Sequence, residues 1–349
     1  MSFYGDDSRH SLCQFRSRMR ARMQQRQGHH QIIFAVDGIP YTLAKRLWHH
    51  AHMECWRSVF PSTSSTCWLS SLTGMRVEEH GVPGVVFRPD PAQPVVINVC
   101  DYQGEAITIP TENLFSDAIQ CGYFPQAVAG DLLPIRGAWT RALLAGAAYI
   151  DNSRFYTQHF SVPPAQRLIQ LEDAIAQAQT RADNLSLVWC FIDIDHYIHQ
   201  HGYDSQVEQF LSGLESLAQR LCQQGCDVIA YADHGLVPTR HDEGIAKTVR
   251  EIGQAYGAQM GGAGRTRWFY VADDKQMSLC QRLTAALGAG VDVLPRQALF
   301  PQGGMERMGN VLLIAREERF IAPESYCYEH GSLLPQEMTV PYAVWEARC

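Results

Sequence analysis

The sequence predicts an α/β layered sheet, and three observations carry that expectation. Apolar runs of strand length recur at 31–36, 185–194 and 227–231, each ends on acidic residues, and stretches with helical periodicity lie between them. The 349 residues, 46% hydrophobic and 19% charged, suffice for a sizeable core and exclude disordered and fibrous classes. At roughly 150 residues per domain the length allows two domains, but the unbroken alternation favours one core carrying an insertion.

Taken in order, Leu12, Phe15, Met19 and Met23 recur at helical spacing and predict a short amphipathic helix lying on the body. Arg9, Arg16, Arg18, Arg20, Arg22 and Arg26 surround it without an apolar run, so neither a secretory signal nor a membrane span is expected. The strand 31–36 ends at Asp37-Gly38, and Pro40 opens a helical stretch through about residue 55. A hydroxyl-rich turn, 58–67, runs into a short helix closed by Gly74. Residues 85–123 read as β-like with Pro and Gly punctuation, and 126–183 as mainly helical, with 165–181 clearly amphipathic. After the strand 185–194 come a helix at 205–224, the strand 227–231, a helix at 242–256 and a strand at 267–271. A helix at 275–287 and short strands at 291–294 and 311–314 complete the alternation. The run Gly261-Gly-Ala-Gly264-Arg265 lacks the phosphate-loop pattern and precedes a strand, so it reads as a turn.

The formal charge of −7 gives no electrostatic reason to expect a nucleic-acid duplex or an anionic membrane as partner. Eleven cysteines without a CxxC pair, several in apolar runs such as Cys100 and Cys190, read as reduced thiols of a cytoplasmic protein. Fourteen histidines raise the prospect of a metal site, although His29, His30, His49 and His50 read as surface residues.

Asp195 and His199 are four residues apart, so a helix after the strand places both on one face, where they can share an ion. Asp233-His234 supplies a second pair from a neighbouring strand end. Asp37, the hydroxyl turn, Asp195, Asp233 and His234 thus fall at consecutive sheet tips on one edge, where open α/β sheets place ligands. Carboxylates buried there are costly unless cations compensate them. His196 and His201 flank the pair and read as neighbours or surface residues rather than ligands, and His80 as a turn residue after the helix.

These motifs in this order, Asp37-Gly, FPSTSSTCWLSSLTG at 60–74, Glu79-His80-Gly81, DIDHYIHQHG at 193–202, YADHG at 231–235 and EHGSLLPQEMTVP at 329–341, resemble the alkaline phosphatase superfamily. Within it the sequence is most similar to the nucleotide pyrophosphatase/phosphodiesterase branch, from about Gln31 to Val344. The resemblance implies an alkaline-phosphatase-like layered sheet with helices on both faces and an inserted cap. Residues 31–349 would form the catalytic domain, 85–183 its substrate-facing insertion, and 1–30 a basic helical extension. It also implies two divalent metal ions, one held by Asp195, His199 and His330, the other by Asp37, Asp233 and His234. Zinc suits this thiolate-free donor set best, and manganese or iron can also be accommodated. The nucleophile falls on Ser64, which also bridges toward the second metal, with Thr63 as fallback. The branch usually carries Thr there; serine fills the role in alkaline phosphatases.

The activity so implied is hydrolysis of a phosphodiester or phosphoanhydride in a small phosphorylated, nucleotide-like substrate, through a covalent intermediate on Ser64. Two ions about 4 Å apart can clamp an in-line displacement at phosphorus, and amides opening the helix after Ser64 favour the phosphate's charge. A phosphonate hydrolase or phosphomonoesterase is the alternative, and a non-catalytic binding protein on the same fold a third. The family's animal-type diesterases carry Asn three residues after the nucleophile, where this chain has Cys67, a poor amide substitute. No Cys-x-Pro-x-Arg signature is present, which argues against sulfate esters. Thr63, Cys67 and Phe124 are the candidate substrate contacts, with Phe124, Trp139 or Tyr156 as a stacking surface for a leaving group.

Overall fold

The computed structural model describes residues 10–132, 135–155 and 163–347, so Tyr156 lies outside the described residues. Seven strands form the main sheet: β1 His30–Val36, β2 His52–Arg57, β3 Tyr123–Val128, β4 Tyr149–Asp151, β5 Leu185–Ile192, β6 Cys226–Tyr231 and β7 Thr339–Trp345. Their order across the sheet is β2-β7-β6-β1-β5-β3-β4. β1 runs parallel to β5 and β6, and β3 parallel to β5 and β4. β7 is antiparallel to both its neighbours, β6 and β2.

The central strands are apolar without alternation because both faces are covered. Phe15 of the helix Phe15–Gln25 stacks on Tyr231, with ring centroids 3.7 Å apart, and Trp68 of the helix Ser64–Thr73 meets Tyr231, Trp189 and Phe191 edge-on. Cys226 lies five residues before Tyr231 and therefore on the other face, where it accepts a hydrogen bond from Gln179 of the helix Pro164–Thr180. That helix packs on β5 and against Ser205–Gln223, which covers β6.

A second, antiparallel sheet departs from the single layered sheet that the alternation suggests. Its strands run in the order Val291–Pro295, Val311–Ala315, Thr266–Tyr270, Gln259–Ala263, Val86–Phe87, Ile97–Asn98. Gly264, at φ +51°, closes a tight hairpin between two of them, so they pair directly without a crossover helix. The helices Glu243–Ala255 and Asp273–Leu287 contribute to a separate small core that includes Val249, Leu279 and Leu283 against Phe269 and Leu313. The segment 85–183 is divided between the two sheets. Val86–Phe87 and Ile97–Asn98 join the second, while β3, which straddles the start of the stretch that reads as helical, and β4, within it, join the first.

One further element differs from the sequence expectation. The helix from Pro40 stops at Leu47, and the residues that follow turn back as the edge strand β2. β7 is a strand despite Pro341, because pairing with β6 begins only at Tyr342 and no amide is needed from the proline on that side.

The arginines of the first helix face acidic partners on the body. Arg16 forms a two-pronged contact with buried Asp117, at 2.7 and 2.9 Å. Arg26 forms another with Asp227, at 2.9 Å twice, and Arg22 approaches the same carboxylate at 2.9 Å. Burial alone would raise the Asp227 pKa, but the Arg26 bonds, the Ala347 amide and Arg22 outweigh it and hold the carboxyl at about 2. The stabilisation is therefore present above the unfolded value of about 3.9 and is lost as pH falls toward 2. Asp227→Asn is expected to cost about 2–4 kcal/mol at pH 7 by leaving two partly buried guanidinium groups undercompensated, with the deficit shrinking near pH 2. Urea unfolding at the two pH values measures this, and equal stabilities at pH 7 would contradict it.

Candidate active site

β1, β5 and β6 end side by side, Val36 opposite Ile192 and Ala35 opposite Tyr231, so the residues just beyond them converge. Asp37 follows directly, its amide bonded to the Ile192 carbonyl at 3.0 Å. Gly38 has φ +83° and donates its amide to Asp233 Oδ1 at 3.1 Å. A Cβ there would stand 2.8 Å from Leu236 Cδ1 and 3.1 Å from Asp195 Oδ1, so the left-handed backbone and the close approach both favour glycine.

Ser64 opens the buried helix Ser64–Thr73, and Thr63 precedes it in extended conformation without a side-chain cap. Ser64 Oγ lies 3.3 Å from Asp37 Oδ1 and 3.2 Å from His234 Nε2, while Trp68 Nε1 donates to Asp37 Oδ2 at 3.4 Å. Asp195 and His199 lie on one helix face as their spacing requires, with Nε2 3.0 Å from Oδ2. His330 arrives from the loop before β7 and stacks on His234, with centroids 3.7 Å apart and planes 13° from parallel. Its Nε2 is 3.9 Å from Asp195 Oδ1. The Nδ1–H groups of His199 and His330 donate to the carbonyls of Tyr328 and Ser62, both at 2.8 Å, which turns each Nε2 toward the cluster, that of His199 onto Asp195.

The cluster is electrostatically frustrated. Burial, and then repulsion from Asp233, Asp195 and Asp193, pushes Asp37 well above the usual carboxylate range. Asp233 is pushed up to about 8 by burial and Asp195. Burial opposes ionisation of His199, but Asp195 and Glu329 overcome it and hold the imidazole at about 10. His234 is driven far down by burial and by His330. Asp195 Oδ1, Asp233 Oδ2 and His234 Nδ1 are buried without hydrogen-bond partners. Divalent cations answer both problems at once. Ligand atoms of Asp37, Asp233 and His234 lie within 4.8 Å of one another, as do those of Asp195, His234 and His330 and those of His199, Glu329 and His330. These oxygen and imidazole donors fit divalent ions.

Glu329 is the site residue that sequence reasoning missed. Its Oε1 lies 3.7 Å from both His199 Nδ1 and His330 Nε2. Its only sequence signal is adjacency to His330. Tyr326, stacked on His199 at 4.2 Å, carries no motif.

The candidate substrate contacts are corrected by the structure. Thr63 is 1% exposed and its hydroxyl faces Thr66 Oγ1 at 3.1 Å, so it serves the helix start. Cys67, one turn into the helix, is fully buried against Ser58 Oγ and offers a ligand nothing. Phe124 lies at the opposite end of the sheet, paired with Ser186, whereas the acidic tips follow Ile192. Trp139 is buried, its indole donating to the Ser65 carbonyl at 2.8 Å, so it props the Ser64 helix instead of presenting a stacking face. His80 bonds Ser70 Oγ and the Val82 amide in a turn.

The type I phosphodiesterase / nucleotide pyrophosphatase family model matches residues 41–326. The chain belongs to this family. As a type I phosphodiesterase / nucleotide pyrophosphatase family member it is a phosphoric ester hydrolase of the alkaline phosphatase superfamily. The matched span contains Ser64, Asp195, His199, Asp233 and His234; Asp37 and His330 lie outside it and are brought in by the fold. No curated protein sequence matches this chain. Among solved structures it is similar to murine ectonucleotide pyrophosphatase / phosphodiesterase 5, at TM-score 0.65 and 13% identity over 90% of this chain and 88% of that one. The human counterpart gives 0.63 and 14% over 90% and 87%. Phosphonoacetate hydrolase from Sinorhizobium meliloti, in complex with phosphonoformate, gives 0.66 and 17% over 91% and 90%. At these identities the likeness concerns the fold.

Proposed function

We propose that the chain hydrolyses a phosphodiester or phosphoanhydride in a small nucleotide-like substrate, with Ser64 as nucleophile. The observation that carries this is the Ser64 hydroxyl at an uncapped helix start, 3.2 Å from His234 and 3.3 Å from Asp37. Asp37, Ser64, Asp233 and His234 would hold one divalent ion and Asp195, His199 and His330 the other, with zinc the best fit. When bound, the ions lower the pKa of the hydroxyl and neutralise charge on the phosphoryl oxygens. Ser64 Oγ bonds to phosphorus, its proton leaves to solvent, and the bond to the leaving oxygen breaks on the opposite side. Water then cleaves the phosphoserine ester and returns a proton to Oγ. The first-turn amides of the Ser64 helix face the phosphoryl charge. The murine phosphodiesterase 5 solved with AMP supports a nucleotide-like substrate for this chain.

Phosphonate hydrolysis at the same site is the second reading, supported by the likeness to phosphonoacetate hydrolase. Rates on bis-p-nitrophenyl phosphate, p-nitrophenyl phosphate and phosphonoacetate separate the two. A diester preference of at least about tenfold is expected, since about 1.4 kcal/mol of differential transition-state binding produces it. Faster turnover of phosphonoacetate or the monoester would replace the proposal.

A further inference from the structure

His330 sits on a loop, and its ring must be held against His234 and in register with Ser64, which come from two other elements. The groups that hold it meet at Glu337, in the short helix Pro335–Met338 just before β7. Glu337 is fully buried, and its carboxylate accepts hydrogen bonds from the Ser332 amide at 2.5 Å and the Ser332 hydroxyl at 2.6 Å. Its charge is balanced by Arg265 Nε at 2.9 Å, also fully buried. The rest of Arg265 is engaged too: Nη1 donates to Thr239 and Nη2 to the Glu317 carbonyl, while its amide donates to the His330 carbonyl at 2.7 Å.

From this pair the connections reach all three elements. The Glu337 carbonyl accepts the amide of Gly235, next to His234, at 3.0 Å. The Ser332 carbonyl accepts Ser62 Oγ at 3.0 Å, and the Ser62 carbonyl accepts His330 Nδ1 at 2.8 Å. Ser62 lies two residues before Ser64. Gly264 completes the cradle, since a Cβ there would stand 2.0 Å from the His330 carbonyl. We propose that Glu337, charge-balanced by Arg265, is a positioning residue that sets the spacing between Ser64, His234 and His330. This rests on the phosphodiesterase reading of the site. Glu337 touches no reacting atom; its effect is transmitted through Ser332 and Ser62, and misplacements of about 1 Å in such arrangements cost roughly 100-fold in rate.

Glu337→Gln keeps the size of the side chain and removes its charge. The expected result is a kcat on bis-p-nitrophenyl phosphate lower by about 10–100-fold with KM within about twofold, and a Kd for zinc, read by competition with a chromophoric chelator, higher by about 10–100-fold. A folded Glu337→Gln protein that loses thermal stability only, with kcat and zinc Kd at wild-type values, overturns the proposal. Ser62→Ala breaks one link and leaves the ion pair intact, so it serves if the first variant does not fold. Its kcat is expected to fall by about 3–10-fold, a loss of roughly 0.7–1.4 kcal/mol in positioning; an unchanged kcat overturns the proposal. Ser64→Ala runs alongside: its activity judges the phosphodiesterase reading, while the zinc Kd of Glu337→Gln judges the positioning role without any turnover.

Discussion

Ser64→Ala is expected to lower kcat on bis-p-nitrophenyl phosphate by at least about 1000-fold while leaving the bound zinc content near the wild-type level. Of Thr63, Ser64 and Cys67, only Ser64 reaches the carboxylate and imidazole cluster, since Thr63 faces Thr66 and Cys67 is buried against Ser58. Removing it deletes the atom that would bond to phosphorus. The carboxylates and imidazoles of both proposed ligand sets stay in place, because Asp37, Asp233 and His234 are positioned by strand ends and not by the serine. The helix also tolerates alanine as its first residue, so no loss of fold is expected. Intact-mass analysis after rapid quenching should detect a phosphorylated or nucleotidylated wild-type chain and none in the variant. An active Ser64→Ala enzyme would remove Ser64 from the role.

Asp233→Asn has the second large effect, with opposite signs in the metal-free and metal-loaded protein. The Asp233 carboxyl is pushed up to about 8 because it is buried beside Asp195, so in metal-free protein its ionisation is destabilising. Its contribution is intact below the unfolded value of about 3.9 and declines as pH rises through about 8. Asparagine keeps an oxygen for the Gly38 amide and carries no charge. The metal-free variant should therefore melt above metal-free wild type at pH 8, and the gap should close toward pH 4. Zinc reverses the ranking: the variant lacks one proposed ligand, its affinity should fall by at least about 100-fold, and most of the zinc-induced rise in Tm should vanish. Calorimetry with and without zinc at the two pH values reads both signs. A zinc-induced shift of wild-type size in Asp233→Asn would mean that this carboxylate holds no ion.

The parts of the site that the sequence made legible are those in which a motif coincides with a strand end or a helix face. Asp37, Asp195 and Asp233 follow uninterrupted apolar runs, and a parallel strand buried on both faces leaves such a run as its signature. The four-residue spacing of Asp195 and His199 likewise translates directly into a 3.0 Å approach. Phe124 and Cys67 failed for the same reason as each other. Residue type states that an aromatic ring can stack and that a thiol can donate weakly, but which end of a strand or which face of a buried helix it occupies is set by register.

The sequence alone determined the parallel core, the acidic tips at its edge and the hydroxyl that opens the next helix, because each is encoded in a contiguous run with its own periodicity. Only the tertiary structure decided that the later strands pair among themselves in a second sheet, that Glu329 stands between His199 and His330, and that Glu337 and Arg265 join three separate loops. The contacts of Glu329 with His199 and of Ser62 with Ser332 link residues more than a hundred positions apart. They follow from how the buried polar groups of one loop find partners on another, which no local pattern records.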